Sequence, residues 1–277
     1  MVRVRQALAV LVGCGAAMLR LAAGDPARAE DPVAVKAPGL GYIVTLGGFA
    51  DLEPRFEGAR HSRWGFQPVF DVRKEGSREW LNLPRDGVDI AVWETDNFRA
   101  GPVASGRWER DVGSLVRGFR HVGVVNLSIE AGGFMEYWPS QLLRTRVEVR
   151  DAVVGAAGVI SDASADIVLR PDRQWTITGG PRLSLADATF MRSYYSVSPQ
   201  QSVTSGLPAY TARPGVRSGG AGSMLKYKWS DEISTMAFVE YQRIAASAFD
   251  SPLISQRGTP NQTIVGVGMS FSFVTGR

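Results

Sequence analysis

Two histidines are all the chain has. One of them, His61, is followed directly by Ser62, with Glu57 four residues upstream. A serine, an imidazole base and an orienting carboxylate are the raw material of an acyl-transfer site such as that of a lipid esterase. The spacing argues against that use. Adjacent strand residues point to opposite faces, so His61 and Ser62 do not converge on one substrate, and nothing fixes Glu57 as the third member. His121 lies far away in the chain, and no His, Asp and Glu cluster has the spacing of a metal site. The pairs Gly47-Gly48, Gly132-Gly133 and Gly219-Gly220 sit in strand context, where glycine marks bends or close backbone approach rather than a phosphate cradle. The expectation is a protein without catalytic residues, metal or cofactor.

The segments that hold these residues start after a leader. Arg3 and Arg5 precede an apolar run from Ala7 to Leu19, and Ala27-Arg28-Ala29 has the small-x-small form of a signal-peptidase site. Residues 1–29 are therefore read as a cleaved secretory signal, which carries away Cys14. Four of the 31 basic residues and one of the 27 acidic ones leave with it, so the mature chain is close to neutral. The basic balance of the full chain thus belongs largely to the leader and gives no reason to expect nucleic acid as a partner. A mature chain without cysteine has no disulfide framework to read.

Downstream, the recurring pattern is alternation with period two. Val147 and Val149 alternate with Arg146, Glu148 and Arg150; Leu225, Tyr227 and Trp229 alternate with Lys226 and Lys228; Trp64, Phe66, Phe70 and Val72 follow the same rule. A soluble sandwich also alternates. Three features select a membrane barrel instead. The strands are long, about ten residues or more, as a tilted bilayer-crossing strand requires. Aromatics (Tyr42, Trp64, Trp108, Tyr137, Trp138, Trp175, Tyr227, Trp229) stand near strand ends, where interfacial girdles belong. Connections alternate between tight turns and long loops, the latter at Asp111–Val124, Tyr194–Val216 and Ala245–Asn261.

Eleven segments are clear, and Pro84-Arg85-Asp86-Gly87 is a turn signal inside the third, near 79–94. Splitting that segment gives twelve strands, the even number that puts both ends on one side; ten or fourteen remain open. The reading is an all-β, transmembrane, antiparallel up-and-down β-barrel over 41–273. A periplasmic N-terminal segment, 30–40, precedes it and a short tail, 274–277, follows. The last alternating strand ends on Phe271 and Phe273. It must pair with the first to leave no open edge in lipid.

With apolar residues facing lipid, Glu130, Glu136, Arg144, Arg146, Glu148, Arg150, Asp162, Asp166, Arg170 and Arg182 point into the lumen. They serve either as a self-neutralising network that fills the barrel or as the lining of a narrow polar channel. Sequence alone does not choose, since both uses need the same residues.

Several short stretches resemble the MltA-interacting protein (MipA/OmpV) family of outer-membrane proteins. They are Gly47-Gly48 with Pro54, Phe56, Glu57 and Gly58; Gln67-Pro68-Val69-Phe70-Asp71; Gly101-Pro102 with Arg107; Tyr194-Tyr195-Ser196-Val197-Ser198; Ser205-Gly206-Leu207-Pro208-Ala209-Tyr210; Asp250-Ser251-Pro252-Leu253-Ile254; and Asn261-Gln262. Ser196 departs from the glycine usual in the family, and so does the tail after Phe273. The resemblance implies an outer-membrane scaffold that joins a lytic transglycosylase to a peptidoglycan synthase, in contact with outer-membrane lipid. The terminal Phe resembles the signal read by the barrel-assembly machinery. A narrow pore or a surface adhesin is the alternative reading, and an outer-membrane lipid esterase the remote one. The loop holding Tyr194, Tyr195 and Tyr210 either caps the barrel mouth or binds a partner.

Overall fold

Alternation of apolar and polar residues becomes a wall in the computed structural model, which describes residues 41–76, 79–107, 127–155 and 158–275. The leader, the segment 30–40, Trp108, His121, the loop at 111–124 and the last two residues lie outside the described residues.

Twelve strands form one antiparallel sheet. They are β1 Tyr42–Pro54, β2 Ser62–Lys74, β3 Val88–Asp89, β4 Trp93–Glu94, β5 Phe98–Arg107 and β6 Ser128–Ser140; then β7 Leu143–Val154, β8 Val159–Leu169, β9 Trp175–Ala186, β10 Gly215–Lys228, β11 Ile233–Ile244 and β12 Asn261–Thr275. Their order is β2-β1-β12-β11-β10-β9-β8-β7-β6-β5-β3, with β4 also on β5. The first and last long strands pair from Tyr42↔Thr275 to Leu52↔Val265, so the sheet curls into a nearly closed barrel. β12 runs on through Val274 and Thr275, which pair with Ile43 and Tyr42. The expected tail after Phe273 therefore begins as strand.

The polarity is inverted relative to a soluble sheet. On β7, Arg144, Arg146, Glu148 and Arg150 are buried while Val147 and Val149 are exposed. Leu46, Phe66, Met135, Val267, Phe271 and Phe273 also face outward. An outer face of large apolar side chains around a charged interior suits hydrocarbon outside. One girdle assignment fails: Trp138 is 2% exposed and points inward, where its Nε1 donates to Glu136 Oε1 at 2.8 Å. Tyr227 packs between Trp175, tilted, and Trp229, edge-on, at the short-turn end, with centroids 4.6 and 4.7 Å apart.

The third predicted segment also differs from expectation. The turn at Pro84–Gly87 is present, with Arg85 at a φ of 73° and the Leu83 N–H donating to Asp86 Oδ2 at 3.1 Å. Only its second half joins the wall. β3 and β4 are one interrupted strand on β5, continuous through Ile90 N–H to Pro102 O at 3.2 Å and Val92 N–H to Ala100 O at 3.0 Å. Its first half carries Trp80, Leu81 and Leu83 into the lumen, all buried. The residues explain the choice: Trp80 and Leu81 are consecutive and both apolar, so this stretch does not alternate, and Pro84 has no N–H for a ladder.

Both long connections described at the other end are ordered. Between β9 and β10 lie α1 (Ala188–Tyr195) and α2 (Pro199–Ser205). Asp187 caps α1 by accepting from Phe190 N at 2.7 Å. Ser198 and Gln201 form a capping box on α2, which stops at Gly206 with a φ of 73°. Between β11 and β12 lie α3 (Ala246–Phe249) and a π-helical turn, Leu253–Arg257. The loop alternation had given no helical period, and these helices are one or two turns long, set by caps rather than by a long amphipathic stripe.

Candidate functional site

The lumen has three zones. The first is a charge network on the inner face of β5 to β9. Glu136 sits at its centre, fully buried. It accepts from Arg144 at 2.8 Å, Arg146 at 3.1 Å and Arg99 at 3.2 Å. Arg144 also meets Asp86 at 2.7 Å and Asp166 at 3.3 Å. Arg146 meets Asp89 at 2.7 Å, and Arg182 meets Asp166 at 2.7 Å. Farther up, Arg150 joins Glu148, Glu130 and Asp162. Burial of so many charges is tolerated because each guanidinium meets carboxylates at hydrogen-bond distance.

Nine of the ten lumen candidates named from the sequence enter this network. Arg170 does not belong to its centre: it lies just beyond the end of β8, exposed, with its guanidinium 5.8 Å from the Trp138 ring. Asp86, Asp89 and Arg99 were not foreseen. Asp86 lay inside a turn signal, and turn residues are ordinarily solvated; only the inward course of 79–87 brings its carboxylate to Arg144.

The second zone is apolar. Phe49, Val69, Met224, Met236, Phe238 and Ile264 pack from β1, β2, β10, β11 and β12 around Trp80, Leu81 and Leu83, joined by Trp138 and Val168. Phe49 meets Phe238 edge-on at 5.3 Å. None of these residues was among the lumen-facing positions expected from the sequence.

The third zone is the cap, and here the family-motif residues meet. Tyr194 stacks on Phe190 at 4.2 Å, and the Ser251 hydroxyl donates to Tyr195 O at 2.6 Å. The Tyr210 hydroxyl donates to Ser247 O at 2.7 Å, and Arg257 donates to Ser205 O at 2.5 Å. Gln262 Oε1 accepts from Gly58 N at 3.1 Å. Leu207 packs with Phe56, Val197 and Leu253, and Pro252 is buried beside them. Gly206 ends α2 as described, and Pro208 lies between it and the Val197↔Tyr210 bridge. Asp250 closes α3, and Asn261 opens β12, its Oδ1 accepting from the Tyr241 hydroxyl at 2.8 Å. These motif stretches, distant in sequence, thus contact one another within the cap.

Glu57 ties the cap to the wall. Arg217 donates to it at 2.8 Å, and Arg107 stands 3.7 Å away while bonding Glu130 at 2.7 Å. Arg217 reaches inward because the β9–β10 register slips between Val216 and Ser218, and the extra residue reverses the alternation there. No period-two reading finds it for that reason. Burial raises the Glu57 carboxyl, but Arg217 and Arg107 more than offset this and hold it below the usual carboxylate range. Burial, reinforced by Glu57, pushes the Tyr195 hydroxyl well above its ordinary value. Glu57 is thus engaged with arginines, whereas His61 and Ser62 are exposed at the start of β2. Among the described residues no hydrogen bond joins these three side chains.

Between cap and network lies a chamber of about 660 Å³. Its lining includes Arg55, Arg85, Arg107, Glu148, Glu240 and Gln262. Such a chamber can hold a small polar or amphipathic group. Below it, the inward segment and the apolar zone occupy the lumen.

In chain trace the protein is similar to the NanC porin, with 9% identity over 83% of this chain and 98% of that one and a TM-score of 0.40. It is also similar to an outer-membrane channel from Pseudomonas putida F1, with 10% identity over 88% and 99% and a TM-score of 0.44. No curated protein sequence matches it. The apolar belt and the charged interior make the chain an outer-membrane β-barrel, and residues 46–273 match the family model of MltA-interacting protein MipA, so the chain belongs to the MipA family.

Proposed function

We propose that this barrel is a membrane-seated scaffold that holds peptidoglycan-remodelling enzymes at the inner side of the outer membrane, and that it performs no catalysis itself. The observation that carries the reading is the filled lumen. Trp80, Leu81 and Leu83 wedge the apolar zone, Asp86 locks into Arg144, and the cap closes over Glu57. A barrel sealed in this way serves as an anchor more readily than as a conduit. The family name supplies the partner class, a lytic transglycosylase. β1 begins and β12 ends at the short-turn end, which in this reading faces the periplasm together with residues 30–40.

The test is co-purification from detergent-solubilised envelopes. Deleting residues 30–40, or reversing charge in the exposed turn at Asp231 and Glu232, is expected to abolish recovery of the transglycosylase while the barrel remains heat-modifiable on gels. Undiminished recovery with both variants would sink the scaffold. In planar bilayers the wild type is expected to be electrically silent, whereas discrete steps that change when Arg146 is reversed would establish the pore reading.

A further inference from the structure

On β11 the outward positions are Ile233, Thr235, Ala237, Val239, Tyr241 and Arg243, while Ser234, Met236, Phe238 and Glu240 between them are buried. Arg243 is the single charge at the outward positions of β10, β11 and β12, and it is exposed. From Ile233 to Arg243 the strand runs about 33 Å. At a tilt of about 40° this is about 25 Å along the bilayer normal, the height of the apolar band of such a barrel. Arg243 therefore stands at the cap-end edge of the hydrocarbon.

The guanidinium is held there without being neutralised. Asn261 Oδ1 accepts from the Tyr241 hydroxyl at 2.8 Å and from Arg243 Nη1 at 3.3 Å, and the Phe249 ring centroid lies 5.7 Å from Arg243 Cζ. Phe249 comes from α3, whose first residue, Ala246, takes a φ of 45°, a left-handed value that alanine rarely adopts. The same short helix holds Arg213, whose backbone N–H donates to Ser247 Oγ at 2.8 Å. Arg213 is exposed too, and among the described residues neither arginine has an ion-pair partner, although Asp250 closes α3. The surrounding rim has the same sign. Among the described residues the exposed charges at the cap end are Arg60, Arg192, Arg213 and Arg243 against Asp151 and Asp250. At the short-turn end Glu94, Asp96, Asp172, Asp231 and Glu232 outnumber Lys74, Arg170 and Arg173.

We infer that Arg213 and Arg243 form a rim site for the phosphate of an outer-leaflet glycolipid, whose acyl chains lie along the outer face of β11 and β12. With one N–H spent on Asn261, the rest of the Arg243 fork points to a ligand, and a planar fork matches phosphate oxygens. Basic residues just outside the hydrocarbon edge attract an anionic leaflet. Below Arg243 the wall is apolar, with Val239 on β11 and Val265 and Val267 on β12, so the phosphate arrives with a chain attached. Thr211, Asn261 and Thr263 are exposed near the arginines in the chain pairing and offer partners to sugar hydroxyls. A free phosphate or an acidic peptide would leave that wall unused. The orientation with the cap end outward is shared with the scaffold reading, but the site needs none of its partners and survives its failure.

Native mass spectrometry tests the site on the full-length protein in detergent, incubated with an acylated glucosamine disaccharide in its phosphorylated or its dephosphorylated form. The phosphorylated form is expected to be retained in preference. Arg243→Gln is expected to lower its retention by about tenfold. Arg243→Lys, which keeps the charge but not the fork, is expected to lose less, and Arg173→Gln, in the exposed turn between β8 and β9, nothing. Arg213→Gln repeats the test if Arg243→Gln loses its heat-modifiable band. Equal retention of the two forms by the wild type overturns the phosphate site. Equal losses in Arg173→Gln and Arg243→Gln overturn its place on the rim in favour of general attraction. Release by inorganic phosphate, but not by chloride at equal ionic strength, overturns the lipid in favour of a free anion. Equal retention of phosphatidylglycerol overturns the glycolipid in favour of any anionic lipid.

Discussion

On the β5 to β9 side of the lumen the inward residues are arginines and carboxylates, Arg99, Glu136, Arg144, Arg146, Glu148 and Asp166 among them. On the side formed by β10, β11, β12, β1 and β2 an apolar band of Phe49, Val69, Met224, Met236 and Phe238 crosses the inner face, with buried polar residues such as Thr45, Asp51, Asp71, Ser234 and Glu240 around it. The outer faces of the two sides do not differ in kind: Val147 and Val149 on one, Leu225 and Val267 on the other. The bilayer thus constrains the outward half of every strand and leaves the inward half free. What the interior must do is satisfy whatever it buries, and the two sides do so differently. The segment from Trp80 to Asp86 is matched to both, with its apolar residues against the apolar side and Asp86 against Arg144.

The comparison breaks most sharply at Glu136. Glu136→Ala leaves Arg99, Arg144 and Arg146 without their shared carboxylate in a buried site. Removing one member of a buried ion pair costs about 3–5 kcal/mol. The expected readout is a lower guanidinium midpoint for the detergent-folded barrel and a faster loss of the heat-modifiable band. A cost below that of a single core truncation would mean that water reaches these arginines and that the network is solvated rather than dry. Leu83→Ala probes the other side. A leucine cut to alanine in a packed core costs about 2–4 kcal/mol from lost burial and residual cavity. Because no charge is involved, that loss is expected to be the same at low and high salt, which urea unfolding at two ionic strengths would reveal. A strong salt dependence at Leu83 would show that the wedge is held mainly by Asp86.

These two sides were not equally legible in the sequence. Strand positions were, because Val147 against Arg146 or Phe66 against Gln67 is a period that only a two-faced strand keeps. The charged inward face followed once the apolar face was assigned to lipid. The apolar side of the lumen was not legible: Phe49, Val69 and Met224 fall at inward positions where alternation predicts polar residues, and the pattern carries no sign of what lies opposite. The missing fact was three-dimensional, since the course of 79–87 through the lumen brings Trp80 and Leu83 to those residues. Arg217 was hidden for a different reason. A one-residue bulge reverses the alternation, so its inward turn is invisible to any count by twos. Of the cap, the motif positions were visible but not their use, because Tyr210 to Ser247 and Ser251 to Tyr195 are contacts between separate loops.

The smallest expected effect lies where cap and wall meet, and it concerns pH. The folded value of Glu57 is held below its unfolded one. Its contribution is therefore fully present above the ordinary glutamate pKa of about 4.3 and is lost as pH falls through the depressed folded value. Glu57→Gln removes that contribution at every pH. Arg107 keeps Glu130 at 2.7 Å, and Arg217 keeps the Ser184 hydroxyl at 2.9 Å. The variant is accordingly expected to cost only about 1–2 kcal/mol at neutral pH. Its stability is expected to change less than that of the wild type as the medium is acidified. Limited proteolysis across the cap between neutral and acid pH provides the measurement, with cleavage near α1 and α2 as the signal. Parallel acid profiles for wild type and variant would place the acid-sensitive element elsewhere in the lumen, and Glu57 would then be one more packing residue of the cap rather than its electrostatic fastening.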